Sequence, residues 1–142
     1  MKKTRKKISY KDSGVNIRNA DTLIKQLKTA NKLRNPRVIS GIGGFSSLYD
    51  LNLKKYNNPV IVAGTDGVGT KLKIAHQIKK HQFIGQDLLA MCVNDVIAQG
   101  AKPLFFLDYY ATSKFDVVTA SEILLGIANG CKESNIALIG GE

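Results

Sequence analysis

The sequence predicts an α+β (mixed α/β) fold in which helices pack on one face of a small mixed sheet. Four segments place apolar residues at helical spacing, and short runs of strongly β-forming residues lie between them. Glycine, asparagine and proline residues mark the turns that separate these segments. The predicted helices cover about residues 21–33, 69–80, 84–99 and 117–129.

The first half of the chain supplies one helix and two strands. Residues 21–33 form an amphipathic helix that Asp21 can cap and that Asn35-Pro36 ends. Val38-Ile39 then begins a short strand. A second strand is expected at 60–63, because a turn sequence, Asn-Asn-Pro, directly precedes this apolar run.

The strongest helix, at 84–99, ends at Gly100. When its residues are placed at intervals of about 100°, they divide into a broad apolar side and a polar side. The polar side carries Asp87, Asn94 and Asp95.

Two further strands flank the last helix. Residues 104–110 are strong β formers, and their alternation places four side chains on one face: Leu104, Phe106, Asp108 and Tyr110. Asp116 can cap the helix at 117–129. A final short strand at 136–139 runs into two glycines and Glu142.

Composition indicates a soluble globular protein of one domain. Of the 142 residues, 44% are hydrophobic and 23% are charged, and no apolar run approaches the roughly 20 residues that span a bilayer. The N-terminus is basic and lacks the apolar segment of a secretory signal. We therefore expect a cytoplasmic protein with no membrane partner, a disordered basic tail at 1–7 and a domain at 8–142.

The net charge of +10 raises the possibility of nucleic-acid binding. Five of the basic residues lie within the first seven positions, and the rest of the excess is scattered without interleaved stacking aromatics. An anionic small substrate accounts for the surplus equally well. We therefore predict no specific nucleic-acid partner.

Cysteine and histidine give no sign of a metal centre. Cys92 and Cys131 are isolated among apolar helical residues and belong to no CxxC pair, which indicates buried thiols. His76 and His81 flank a lysine-rich stretch and are expected to face solvent.

The most informative segment is the glycine-rich turn at 64–71. Its three glycines permit a sharp turn and a close approach to a ligand, and it also carries Asp66, Thr70 and Lys71. The pattern nearly matches a P-loop, but Thr-Lys replaces the Lys-Ser/Thr order, so a P-loop NTPase is not favoured. The residue types suit a phosphate with its Mg²⁺, although many glycine-rich turns after strands bind no ligand.

Acidic and amide side chains could complete such a site. Asp66 lies in the turn, Asn94 and Asp95 lie on one helix face, and Glu142 follows a glycine pair. Mg²⁺ takes oxygen ligands of these kinds, but the helical pair could equally be the solvated face of an amphipathic helix. Asp108, within an apolar strand, either lines a polar cavity or is paired inside the core.

Two further features have both a functional and a structural interpretation. Lys71 could neutralise phosphate charge, or it could be an ordinary solvated lysine. The second glycine-rich turn, at 41–46, could be a backbone cradle for anions, or a loop without a ligand.

Six sequence blocks occur in an order that resembles one known family. From about residue 8 onward, the chain resembles the N-terminal domain of the phosphoribosylformylglycinamidine cyclo-ligases, also called aminoimidazole ribonucleotide synthetases. The blocks at 64–72 and 91–111 are the most specific. The blocks are 9–15 (SYKDSGV), 41–45 (GIGGF), 64–72 (GTDGVGTKL), 91–95 (MCVND), 100–111 (GAKPLFFLDYYA) and 140–142 (GGE).

The resemblance implies an ATP-dependent ligase of de novo purine biosynthesis. The family uses ATP to activate the formamide oxygen of formylglycinamidine ribonucleotide. An internal nitrogen then closes the imidazole ring of aminoimidazole ribonucleotide, and ADP and phosphate are released. Because phosphorylation makes the oxygen a good leaving group, such catalysis needs positioning and charge neutralisation more than a nucleophilic side chain.

The resemblance also implies roles for individual residues. Lys71 and Asp108 become candidate catalytic residues, with Asp108 contacting metal or substrate. The implied Mg²⁺ ligands are Asp66, Asn94, Asp95 and Glu142. The implied ATP contacts are Gly43, Gly44, Asp66, Gly67, Gly69, Thr70, Lys71 and Asn94.

Members of this family form homodimers in which the sheets of two N-terminal domains make a barrel near the nucleotide. They also carry a second α/β domain, which is missing here, so we expect a fragment or a truncated form with doubtful activity on its own. One alternative is another ATP-using enzyme of the superfamily, such as a thiamine-monophosphate kinase or a selenophosphate synthetase. Another is a non-catalytic dimerisation module.

Overall fold

A computed structural model describes residues 17–142 of the chain, apart from 32–34 and 45. The described part confirms the α+β class, and no helix in it is long and apolar enough to cross a membrane. The predicted tail at 1–7 and the block at 9–15 lie outside the described residues. The helices and strands are α1 (Ile17–Ala30), β1 (Val38–Ser40), β2 (Leu48–Tyr49), α2 (Lys71–Ile78), α3 (Ile84–Ala98), β3 (Phe105–Asp108), α4 (Val117–Glu133) and β4 (Ala137–Gly141), with a 3-10 turn at Leu53–Lys55.

The strands of the described part form two small sheets, where the sequence predicted one. β1 and β2 pair antiparallel, whereas β3 and β4 pair parallel, with Phe106 opposite Leu138 and Asp108 opposite Gly141. Parallel neighbours need a long connection, and α4 provides it, so β3, α4 and β4 form a βαβ unit. This unit brings the ends of β3 and β4, and therefore Asp108 and Glu142, to the same edge.

The core lies between α4, the inner faces of β3 and β4, and the apolar sides of α1 and α3. Ile127 and Cys131 of α4 are its most completely buried large side chains. The predicted alternation of β3 is confirmed, because Phe106 is buried while Phe105 and Leu107 are exposed. The amphipathic faces predicted from spacing therefore decide which elements meet.

Helices α3 and α4 approach each other closely through glycines. A Cβ atom at Gly85 would clash with the backbone of Ile123 and Ile127, and one at Gly126 would lie 3.0 Å from the carbonyl oxygen of Gln82. These glycines have ordinary helical φ angles, so the lack of a side chain serves packing and not backbone conformation. The contact fixes the N-terminal half of α3 against α4.

Helix α1 begins earlier than its predicted start at residue 21. Asp21 lies inside the helix with its side chain exposed, so the prediction that it caps the helix is wrong. Apolar spacing located the buried face correctly, since Leu23 and Leu27 enter the core, but spacing does not locate a helix end. The amide of Asn31 donates a hydrogen bond to the Leu138 carbonyl oxygen at 2.7 Å and attaches the end of α1 to β4.

The predicted strand at 60–63 is wrong. The segment forms no strand in the described structure, and Val60 and Ile61 are 87% and 72% exposed. A strand requires a neighbour for its backbone N–H and C=O groups, and no described strand of this chain lies beside it. A run of β-forming residues is therefore not sufficient evidence of a strand.

The other helices were predicted within a few residues of their bounds. Asp116 caps α4 as expected, because its Oδ2 accepts a hydrogen bond from the Thr119 backbone N–H at 2.9 Å. The helix continues to Glu133, four residues beyond the predicted end. Gly130 lies inside this last part, where its missing side chain makes room for Leu89 of α3.

Candidate functional site

The glycine-rich turn packs directly on helix α3. A Cβ atom at Gly64 would lie 3.6 Å from the Cys92 carbonyl oxygen and 3.8 Å from the Asp95 Cβ. The backbone N–H of Asp66 also lies close enough to the Cys92 thiol to lower its pKa. The structure therefore brings Asp66 and Asp95, which lie in two different sequence blocks, to one place.

The glycine-rich turn packs against Cys92 of α3. Burial raises the pKa of its thiol, and the negative charges of Asp66 and Asp95 raise it further, whereas the Asp66 backbone N–H opposes the shift. The thiol is therefore protonated at neutral pH and is a poor nucleophile. The prediction of a buried structural cysteine is confirmed.

A groove follows the contact between the turn and α3. Its walls are the extended backbone before the turn and the exposed side of the helix. It is lined by Val62, Ala63, Gly64, Thr65, Asp95, Val96 and Gln99. A second groove runs along α1 between Thr22 and Ala30, and none of the predicted site residues lines it.

The glycines of the turn serve different purposes. Only Gly69 has a positive φ, of +70°, so only there does the backbone itself favour glycine. Gly67 has an ordinary φ, and an added Cβ would meet no protein atom within 4 Å. Among the three glycines, a left-handed backbone conformation is therefore found only at Gly69, and Gly67 leaves open space on the outer side of the turn.

Some polar groups of the turn form hydrogen bonds within the protein, and others do not. The Gly67 backbone N–H donates a hydrogen bond to Asp66 Oδ1 at 2.7 Å, which leaves the other carboxylate oxygen exposed. Thr70 directly precedes α2 and makes no capping hydrogen bond with its side chain. Its hydroxyl group therefore stays available beside the positive end of the helix dipole.

Lys71, the first residue of α2, forms an ion pair that the sequence did not predict. Its Nζ contacts Oδ2 of Asp87, which lies in the first turn of α3. The side chains are 50% and 40% exposed, respectively. The pair links the end of the glycine-rich turn to the rigid start of α3.

Asp108 and Glu142 meet at the shared end of β3 and β4. The Glu142 backbone N–H donates to the Asp108 carbonyl oxygen at 3.1 Å, and the Tyr110 N–H donates to the Glu142 carbonyl oxygen at 2.6 Å. Desolvation raises the pKa of the partly buried Asp108 carboxyl to about 6, against the effect of its own backbone N–H. Burial, followed by the Asp108 charge, raises the pKa of Cys131 to about 12.

The predicted Mg²⁺ ligands fall into separate places. Asp95 lines the groove and Asp66 follows its lining residue Thr65, Asn94 is exposed and directly precedes Asp95, and Glu142 follows the end of β4. Within the described residues, no group of three or more histidine, cysteine, aspartate and glutamate side chains is close enough to hold a metal ion. A site with all four ligands therefore stays a prediction.

The second glycine-rich turn packs against α1. Gly43 has a φ of +105°, and a Cβ there would lie 2.8 Å from Cε of Lys28. Gly43 and Gly44 are exposed, and Ser47 attaches the end of the loop to β4 through a hydrogen bond to the Ile139 carbonyl oxygen. No contact joins these glycines to the turn at 64–71 in the described structure, so their role in nucleotide binding stays a prediction.

His81 differs from its expected exposure. It is 7% exposed, its Nε2 lies 3.0 Å from Nδ1 of His76, and its Nδ1 lies 3.9 Å from a Glu122 carboxylate oxygen. His76 is exposed as expected. The chain turns back between α2 and α3, and this turn places His81 against α4 despite its lysine-rich sequence neighbours.

Comparisons with known proteins identify the family of this chain. Residues 50–142 match the family model described as AIR synthase related protein, N-terminal domain. The chain is 54% identical over 136 residues to the phosphoribosylformylglycinamidine cyclo-ligase of Nitrosococcus oceani. The identity is 53% over 143 residues for the protein of that name from Methylobacillus flagellatus, and 55% over 136 residues for the one from Aromatoleum aromaticum.

These alignments cover nearly all of this chain but only part of its relatives. They include 95%, 100% and 95% of the chain, and 38%, 41% and 39% of the three relatives. The chain thus spans about two fifths of the length of the curated relatives it matches.

Proposed function

We propose, on the premise that this chain belongs to the family of AIR synthase related proteins, that it binds Mg²⁺-ATP as part of a phosphoribosylformylglycinamidine cyclo-ligase. One observation carries the proposal: the turn at 64–70 packs on α3 so that Asp66 and Asp95 both lie near Cys92, beside a groove lined by Thr65 and Asp95. A nucleotide-bound Mg²⁺ needs only one or two protein carboxylates, because phosphate and water oxygens complete its shell. The two carboxylates fit that requirement.

The remaining residues of the turn suit the phosphates. Gly67 leaves space for a close approach, and Gly69 and Thr70 present backbone and hydroxyl groups at the start of α2. Lys71 adds a cation at the same end. Asn94 directly precedes Asp95 and is exposed on α3, where it can supply an amide oxygen. In this proposal, bound Mg²⁺ supplies neutralisation of phosphate charge.

The proposed reaction is the ATP-dependent ring closure of formylglycinamidine ribonucleotide to aminoimidazole ribonucleotide in the cytoplasm. The formamide oxygen takes the γ-phosphoryl group, an internal nitrogen attacks the activated carbon, and phosphate leaves. Asp108 is suited to hold a proton during ring closure, since a carboxyl with a pKa of about 6 exchanges protons near neutral pH. Glu142 lies beside Asp108 and is the second acidic group at that edge.

The nucleotide site is tested by calorimetric titration of the chain with Mg²⁺-ATP. Asp66→Asn and Asp95→Asn each remove one anionic ligand and should weaken binding by at least tenfold. Asp50→Asn is the matched control, because Asp50 is an exposed aspartate outside the groove. Affinity unchanged in both the Asp66 and the Asp95 variant would refute the proposed metal and nucleotide site.

The reaction is tested with a chimera. Residues 9–142 would replace the matching part of the Nitrosococcus oceani protein, to which the chain is 54% identical. ADP release that depends on formylglycinamidine ribonucleotide is the expected result. A folded chimera that binds Mg²⁺-ATP but shows no substrate-dependent release would contradict the cyclo-ligase assignment while leaving the nucleotide site intact.

The proposal includes a homodimer formed through the outer face of β3. Leu107 and Tyr109 are 54% and 76% exposed on that face, and the unpaired segment with Val60 and Ile61 is also apolar and exposed. Large exposed apolar side chains grouped on one element are typical of interfaces. Analytical ultracentrifugation should show a dimer that Leu107→Glu dissociates without unfolding; a monomer at high concentration would contradict this part of the proposal.

A further inference from the structure

We infer that Asp87 is a positioning residue, which fixes the Lys71 ammonium group beside the glycine-rich turn for contact with the nucleotide phosphates. This inference rests on the proposed function. Asp87 is not part of the glycine-rich turn or of the groove. Asp87 matters because it contacts Lys71 and because it belongs to the first turn of α3.

The ion pair leaves Lys71 able to bind a second partner. An ammonium group has three N–H donors, and Asp87 Oδ2 takes one of them. Half of the Lys71 side chain is exposed, so its other donors are accessible from solvent. Lys71 can therefore contact a phosphate oxygen without leaving Asp87.

Asp87 is the rigid member of the pair. It lies one turn after Phe83 in α3, and its backbone N–H donates to the Phe83 carbonyl oxygen at 3.1 Å. The neighbouring Gly85 is pressed against the backbone of α4, which fixes this part of α3. Lys71, by contrast, has a flexible four-carbon stem, and holding its end in one place removes an entropic cost from phosphate binding.

Lys73 provides the internal comparison. It belongs to the same helix and is exposed, but it forms no ion pair among the described residues. A general effect of lost positive charge should therefore appear equally in Lys73→Met and Lys71→Met. An effect specific to the positioned ammonium should appear only in Lys71→Met.

The test compares the affinities of Mg²⁺-ATP and AMP for the chain and its variants by calorimetry. Asp87→Asn should weaken ATP binding about threefold to tenfold while AMP affinity changes less than twofold, because the other phosphates are absent from AMP. Asp87→Glu should recover most of the loss. The double variant that carries both Lys71→Met and Asp87→Asn should bind ATP with the same affinity as Lys71→Met alone, because Asp87 acts through Lys71.

Each alternative result has a definite meaning. Unchanged or tighter ATP binding by Asp87→Asn would overturn the inference alone, as would an equal loss for ATP and AMP or an additive loss in the double variant. Lys71→Met with the affinity of Lys73→Met would also overturn it. Absence of ATP binding by the unmodified chain would overturn the proposed function and this inference together.

Discussion

Replacement of Asp108 by asparagine should stabilise the fold at neutral pH. Desolvation raises the pKa of this carboxyl from 3.8 to about 6, and each pKa unit corresponds to about 1.36 kcal/mol. Keeping the carboxylate ionised in the folded state therefore costs up to about 3 kcal/mol of unfolding free energy at pH 7. Asparagine has nearly the same shape and carries no charge, so it removes this cost.

The direction of the pKa shift determines how the stability contribution of Asp108 changes with pH. Because the pKa is higher in the folded state than in the unfolded chain, the folded state binds the proton more tightly. The contribution of Asp108 to the unfolding free energy therefore falls as the pH rises from about 4 to about 6, and stays constant above that range. Well below pH 4 both states are protonated, and the difference between aspartic acid and asparagine should largely vanish.

Urea denaturation at pH 7.5 and at pH 4.0 measures the effect. Asp108→Asn should gain about 1–3 kcal/mol at the higher pH and only about 0.5 kcal/mol at the lower. Asp50→Asn, an exposed control, should change little at either pH. A destabilised Asp108→Asn variant at pH 7.5, or a gain of the same size at both pH values, would refute the argument from desolvation.

Three further predictions follow from packing and exposure. Gly126→Ala should lower the free energy of unfolding by about 1–3 kcal/mol in urea denaturation, because the added methyl group pushes α4 away from α3. Gly67→Ala should leave the melting temperature within about 2 °C of the unmodified chain but weaken Mg²⁺-ATP binding, since only the ligand occupies that space; a large loss of stability would contradict this. Cys92 and Cys131 should resist a thiol-specific reagent until the chain is unfolded, and rapid labelling of the folded chain would contradict their burial and raised pKa values.

Local patterns predicted those parts of the fold that depend on neighbouring residues. Helical spacing identified α3 within one residue, alternation identified the inner face of β3, and the capping role of Asp116 follows from its position before an apolar run. Each of these features is decided within one or two turns of the chain. Their prediction therefore needs no knowledge of the tertiary structure.

Features that depend on distant contacts could not be predicted from the pattern. Val60 to Val62 has strong β propensity, yet a strand needs a pairing neighbour, and none of the strands that the structure describes lies there. The burial of His81 depends on α4, and the requirement for Gly85 depends on the angle and distance between α3 and α4. Two glycines four residues apart in α4 were the available signal for that close contact.

In the candidate site, too, the contacts between distant residues could not be predicted from local patterns. The resemblance of the sequence blocks implied that Asp66 and Asp95 belong to one site; the turn packs on α3 with both residues near Cys92, and their shared role stays a prediction. The pair between Lys71 and Asp87 was missed, because spacing alone does not show that the first turns of two successive helices face each other. Charged residues in the first turns of adjacent helices were its only sequence signal.

Nucleotide binding at the turn is the central claim, and amide chemical-shift mapping tests it most directly. Addition of Mg²⁺-ATP to the ¹⁵N-labelled chain should shift resonances of residues 64–71 and of Asn94 and Asp95, with smaller changes for ATP in the presence of a chelator. Shifts confined to the α1 groove at residues 22–30, or no shifts at saturating nucleotide, would contradict it.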